Sequence, residues 1–274
     1  MPAALSAADC HAHVFCGNRY PHDPATLYVP DVSQAGTAAK FRDVLDAHGF
    51  THGLLVGAGV YGADNRCLME ACRESNGRFR GIALVRPDVT DRELTDMTQA
   101  GVVGVRINVM NHGMTPLVEP GAERLLARLK EIGWVVQVQV TGDALVEAAP
   151  LLRKAGVRLL IDHIGRPDLK RGIEQPGFQT LLALGREGSA VIKLSGPFRS
   201  SVEGYPYRDV DPYVAAAIDA FTLDNCIWGS DWPFVRMDER MDYGLALPCL
   251  ERWLPDPASR RKVLWTNPQR LFGF

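Results

Sequence analysis

The sequence predicts an α/β protein folded as a single (β/α)8 TIM barrel spanning residues 1–274. Three observations predict it. Eight runs rich in Val, Ile and Leu recur along the chain, as strands covered on both faces require. Amphipathic stretches separate them at helical spacing. The spacing is even, with no linker or low-complexity segment. No Gly-rich dinucleotide fingerprint follows the first run, which reads His-Ala-His-Val-Phe. That favours a closed barrel over an open doubly wound sheet.

In chain order the runs are Asp9–Phe15, Gly53–Ala58, Gly81–Val85, Gly104–Val109, Trp134–Val140, Arg158–His163, Ala190–Ser195 and Cys226–Asp231. Between them, Thr37–His48 places Phe41, Val44 and Leu45 on one helical face. Glu123–Ile132 does so with Leu125, Leu126 and Leu129, and Asp143–Ala155 with Leu145, Val146, Ala149 and Leu152. Two longer connections, Cys16–Gly36 and Gly196–Pro212, follow the ends of the first and seventh runs. Barrel enzymes build their sites at those strand ends.

Hydrophobic residues make up 46% and charged residues 23%, a soluble globular balance. The formal net charge of −2 gives no basis for a nucleic-acid or membrane-surface partner. No secretory signal or membrane span is legible. None of the six cysteines forms a C-x2-C pair. They read as reduced, mostly buried thiols of a cytoplasmic protein. Barrel exteriors often form dimers, so a homodimer stays open, though no helix announces an interface.

Chemistry concentrates at the run ends. His11 and His13 stand two apart, so both face one side of a strand, together with Asp9. Two such imidazoles hold a metal or polarise a carbonyl, or are satisfied core histidines. His163 ends the sixth run before a Gly/Pro turn, and Asp231 ends the eighth. A buried carboxylate needs partners, and the histidines of runs one and six supply them. Arg106 and Asn108 share a face in the fourth run, where a buried guanidinium calls for an anion. Gln137, Gln139 and Thr141 give the fifth run a polar face, structural or substrate-facing. Arg199 is a second candidate anion clamp, or a surface ion pair.

These residues form a pattern that resembles the amidohydrolase superfamily, amidohydrolase-2 branch, and within it the 2-pyrone-4,6-dicarboxylate hydrolases and related lactonases. The markers are Asp9-Cys10-His11-Ala12-His13-Val14-Phe15, Gly62-Ala63-Asp64-Asn65-Arg66, Gly104-Val105-Arg106-Ile107-Asn108, Asp162-His163-Ile164-Gly165-Arg166-Pro167-Asp168, Gly229-Ser230-Asp231-Trp232-Pro233 and Asn267-Pro268-Gln269-Arg270-Leu271-Phe272. Together they cover nearly the whole chain. The resemblance implies a distorted barrel that hydrolyses an anionic lactone. Asp231 would be general base on water, with His11, His13 and His163 polarising the carbonyl. Arg106 and Arg199 would hold substrate carboxylates, and Tyr28 would face the substrate.

The chain departs from that pattern at His112, where a second arginine is expected, and at Gln139, where a tyrosine is. Gly59, Tyr61 and Phe234 also differ. A sugar-derived lactone, a muconolactone or a sulfonated lactone therefore stand beside the pyrone as substrates. A lactone isomerase or a zinc-dependent decarboxylase on the same barrel is the alternative. Arg106 opposes a dinuclear metal site, and the resemblance implies a reaction without a metal, so the expectation is that no cofactor is required. The alternative is one Zn2+ held by His11, His13, His163 and Asp231.

Overall fold

The computed structural model describes residues 6–31, 35–237 and 241–274. All eight expected strands form: β1 (Ala8–Ala12), β2 (His52–Val56), β3 (Phe79–Ala83), β4 (Val102–Asn108), β5 (Val135–Gln139), β6 (Arg158–Ile161), β7 (Ala190–Ser195) and β8 (Cys226–Gly229). They pair in parallel in the order β1 to β8, with helices between them on the outside. Most strands stop before the predicted ends. The apolar pattern runs past the ladder into the turns that carry the site.

The expected helices form as Ala38–Ala47, Ala122–Glu131 and Ala144–Ala155. Thr37 caps the first by accepting the Lys40 N–H, which satisfies one otherwise unpaired donor. A reciprocal Thr90–Glu93 capping box starts the Asp91–Gln99 helix. In the Ala144–Ala155 helix the buried stripe is Leu145, Ala148, Ala149 and Leu152. Val146, expected on that stripe, faces solvent, because it lies off the i, i+3, i+4, i+7 row.

Two apolar layers result. Ala8, Cys10, Leu54, Val56, Ile82, Val135, Leu160, Val191 and Ile227 fill the lower lumen, with Leu271 and Phe272 packed against them. A larger layer joins the outer strand faces to the helices. No helix among the described residues is long and apolar enough to cross a membrane.

The ring closes between β8 and β1 without a continuous ladder. Ala12 and Trp232 form an isolated parallel bridge. His13 N–H donates to the Trp232 carbonyl and Asp231 N–H to the His11 carbonyl, each at 2.8 Å. A Cβ on Gly229 would lie 2.6 Å from the His11 backbone nitrogen, so glycine permits this approach.

Two expectations need correction. Asp9 does not share a face with His11. The β1–β2 register shifts between Asp9 and Ala12, so Cys10 lies in the lumen cluster while His11 contacts lumen side chains too. Asp9 instead accepts from Ser230 Oγ (2.5 Å), Ser230 N (2.9 Å) and Tyr243 Oη (3.1 Å). The cysteines are not all reduced either. Cys16 and Cys67 are joined as a disulfide, with Cα atoms 5.9 Å apart, because the segment after β1 folds against the start of the Arg66–Arg73 helix. Cys10, Cys72, Cys226 and Cys249 are free and buried, as expected.

Candidate active site

The strand ends bring His11, His13, His163 and Asp231 together. All four are at most 6% exposed. The Nε2 atoms of His11 and His13 lie 3.6 and 3.5 Å from Asp231 Oδ1, and that of His163 lies 3.9 Å from Oδ2. His13 Nδ1 is 2.8 Å from the Val56 carbonyl, which it meets as an N–H donor, leaving the Nε2 lone pair for the centre. His163 Nδ1 is 2.9 Å from Ser195 Oγ. His163 (φ 48°) and Asp231 (φ 65°) both hold left-handed backbone, rare for residues with a Cβ. Such outliers concentrate where the fold aims functional side chains.

Arg199 Nε and Nη2 both reach Asp231 Oδ2 at 2.8 Å. Burial opposes the charge on Asp231, and the Arg199 guanidinium overcomes it, holding the carboxyl well below the usual carboxylate range. Burial pulls His163 down to about 4. Burial, reinforced by Lys193, holds His11 well below the ordinary imidazole value. Both rings are therefore neutral near pH 7.

The remaining expected residues divide. Arg106 donates to Gln139 Oε1, and its Nε lies 3.5 Å from Asp162 Oδ2. Tyr28 is within electrostatic reach of Arg106, Asp231, Arg236 and Arg199, and Arg236 stacks over its ring at 5.5 Å. Asn108 spends its side-chain oxygen on the Asn111 N–H, capping a short helix. His112 is exposed. Tyr28, Arg106, Asn108 and His112 all line one groove of about 630 Å³, with Leu84 and Val85 on its apolar side.

Sequence reasoning put Gln137 on a polar face but missed the buried layer it forms with Lys193 and Asp162 beneath the histidines. Lys193 Nζ lies 3.1 Å from His11 Nδ1, 2.7 Å from Gln137 Oε1 and 3.3 Å from Asp162 Oδ1. Gln137 Nε2 donates to Asp162 Oδ2 at 2.9 Å. Lys193, Gln137 and Asp162 are fully buried. The signal was a lysine inside the apolar run Ala190-Val191-Ile192-Lys193-Leu194-Ser195. Arg166 was missed as well. Its Nε is buried without a hydrogen-bond partner, and burial, with Arg199 nearby, lowers its pKa to about 10. Its Nη1 donates to Met110 Sδ, which leaves the buried Nε–H as a place for an anion.

The amidohydrolase family profile matches residues 8–274. A 2-pyrone-4,6-dicarboxylate hydrolase of Comamonas testosteroni is 34% identical, over 99% of this chain and 91% of its own length. The chain belongs to the amidohydrolase family. A 4-sulfomuconolactone hydrolase of Hydrogenophaga intermedia is 32% identical over 97% of this chain and 88% of its own. The solved structure of a candidate 2-pyrone-4,6-dicarboxylic acid hydrolase from Acinetobacter baumannii, with citric acid bound, superposes with a TM-score of 0.90 at 31% identity. It covers 98% of this chain and 99% of that one.

The expectation that no cofactor is required does not stand. An amidohydrolase of the same fold from Burkholderia multivorans contains bound zinc (TM-score 0.80, 18% identity, 98% of this chain and 99% of that one). This amidohydrolase also has the donors. The ligand atoms of His11, His13 and Asp231 all lie within 4.8 Å of one another, as do those of His11, Asp162 and His163. His11 Nε2 is buried with no hydrogen-bond partner. Two imidazoles and a carboxylate are a zinc donor set.

Proposed function

We propose that this amidohydrolase opens the ester ring of an anionic lactone, with Asp231 as general base and His11, His13 and His163 around the reacting carbonyl. The observation that carries the reading is the convergence of three imidazole Nε2 atoms and one arginine on a single buried carboxylate. The lactone-hydrolysing relatives in Comamonas and Hydrogenophaga support the reaction class.

Asp231 takes a proton from water as it attacks the carbonyl carbon. N–H donors on the neutral His11 and His163 rings bear the charge that develops on the carbonyl oxygen, in a site closed to bulk water. The tetrahedral intermediate collapses, the ring C–O bond breaks, and the proton held by Asp231 passes to the leaving alkoxide or enolate. His11, His13 and Asp231 would hold a zinc ion, which would supply Lewis-acid polarisation at the same place.

Arg106, Arg166 and Arg199 are the anion contacts. In the free protein Arg199 is spent on Asp231. A substrate carboxylate that draws Arg199 away removes the counter-charge that depresses Asp231, so the base strengthens as the substrate docks. Arg166 and Arg236 add positive charge around Asp231 and Tyr28.

The test is acid release from 2-pyrone-4,6-dicarboxylate and a panel of muconolactones, sulfomuconolactone and aldonolactones, run beside Asp231→Asn. Acid from the wild type and none from the variant is expected. No acid from any panel member would sink hydrolysis, and lactone consumed without acid would indicate an isomerase.

A further inference from the structure

We propose that Lys193 is a positioning residue that holds His11 as its Nε2–H tautomer, in competition with Asp162, and thereby tunes the affinity of the His11–His13–Asp231 group for zinc. The argument is a count of donors and acceptors in a closed space. A lysine ammonium has three N–H donors and no acceptor. Lys193 is fully buried and has three acceptors within 3.3 Å: Gln137 Oε1, His11 Nδ1 and Asp162 Oδ1. Gln137 cannot turn its amide around, because its Nε2 already donates to Asp162 Oδ2. One ammonium proton therefore goes to Gln137 Oε1 and another faces His11 Nδ1, with Asp162 Oδ1 as the ion-pair partner.

A neutral imidazole that accepts at Nδ1 carries its proton on Nε2. That proton points to the centre, where Asp231 Oδ1 lies 3.6 Å away. Metal ligation needs the opposite arrangement, with an Nε2 lone pair toward the ion and Nδ1–H given to a carboxylate. The carboxylate for that arrangement is present. Asp162 Oδ1 lies 3.3 Å from His11 Nδ1, as it does from Lys193 Nζ. His11 thus sits between a donor that favours Nε2–H and an acceptor that favours Nδ1–H. His13 faces no such choice, because the Val56 carbonyl fixes its Nδ1 proton. The inference does not depend on which lactone is turned over, and its test reads no turnover.

Nitrogen-15 NMR of the imidazoles, on chelator-stripped wild type, is the first measurement. The expected spectrum has the His11 proton on Nε2. A proton on Nδ1 overturns the proposal without any variant. Zinc titration calorimetry follows on wild type, Lys193→Met and Asp162→Asn. Lys193→Met moves the His11 proton to Nδ1 and tightens zinc about tenfold or more, and Asp162→Asn weakens it about as much. Zinc affinity unchanged in both variants, or tightened in Lys193→Met with no change of tautomer, overturns it. If a variant fails to fold, the wild-type spectrum still decides.

Discussion

At the residue scale the sharpest expectations concern two buried carboxylates. Asp9 has its pKa raised to about 6 by burial, against four hydrogen bonds that lower it. A raised carboxyl contributes stability below its unfolded value of 3.8, and that contribution is lost as pH rises through about 6. Against Asp9→Asn, the wild type therefore loses about 2 kcal/mol between pH 4 and pH 7. Urea unfolding at the two pH values reads the difference, and a constant gap contradicts it. Asp231 has the opposite shift. Arg199→Met removes its main counter-charge, so the acid limb of the kcat/KM profile moves to higher pH and KM for an anionic lactone rises. A limb that stays in place means Arg199 does not govern the base. His11, His13, His163 and Asp231 were legible because polar residues ending apolar runs have few uses besides chemistry. Lys193 was not, because a lysine in a strand ordinarily reaches solvent, and only the folded barrel shows Asp162 and Gln137 facing it.

At the scale of elements, the eight strands were legible because Val/Ile/Leu runs of strand length report burial on both faces. Two features were not. The register shift in β1 depends on pairing with a strand some 40 residues away, and nothing local encodes it. The disulfide depends on where the segment after β1 lands, again a long-range fact. Gly36 shows how closely that segment packs. A Cβ there would fall inside the Trp232 indole, and Trp232 follows Asp231 in sequence and bridges to Ala12. Gly36→Ala therefore costs about 1–3 kcal/mol by overpacking and lowers kcat, because Trp232 shifts and Asp231 moves with it. Denaturant unfolding and steady-state kinetics measure the two effects. A stable variant with full activity would mean the segment yields instead.

For the whole molecule, the barrel separates stability from chemistry by height. Phe272 is 3% exposed and packs against the lower lumen cluster, far along the barrel from the strand ends that carry Asp231. Phe272→Ala costs about 3–5 kcal/mol while the folded fraction keeps its kcat, as residues at the lower face of a barrel are expected to behave. The net charge of −2 conceals the arginines around Asp231. Added salt therefore raises KM for an anionic lactone more than for a neutral one, which steady-state assays over a salt series would read. The gap between β8 and β1 has a further consequence. His11, His13 and Asp231 hold the two lips of that gap together through their backbones and line the centre with their side chains. A bracelet is weakest at its clasp, and here the clasp is the reaction chamber. Whatever occupies the chamber fastens the ring, so amide exchange at His13 and Asp231 reports, by slowing, that the ligand has arrived.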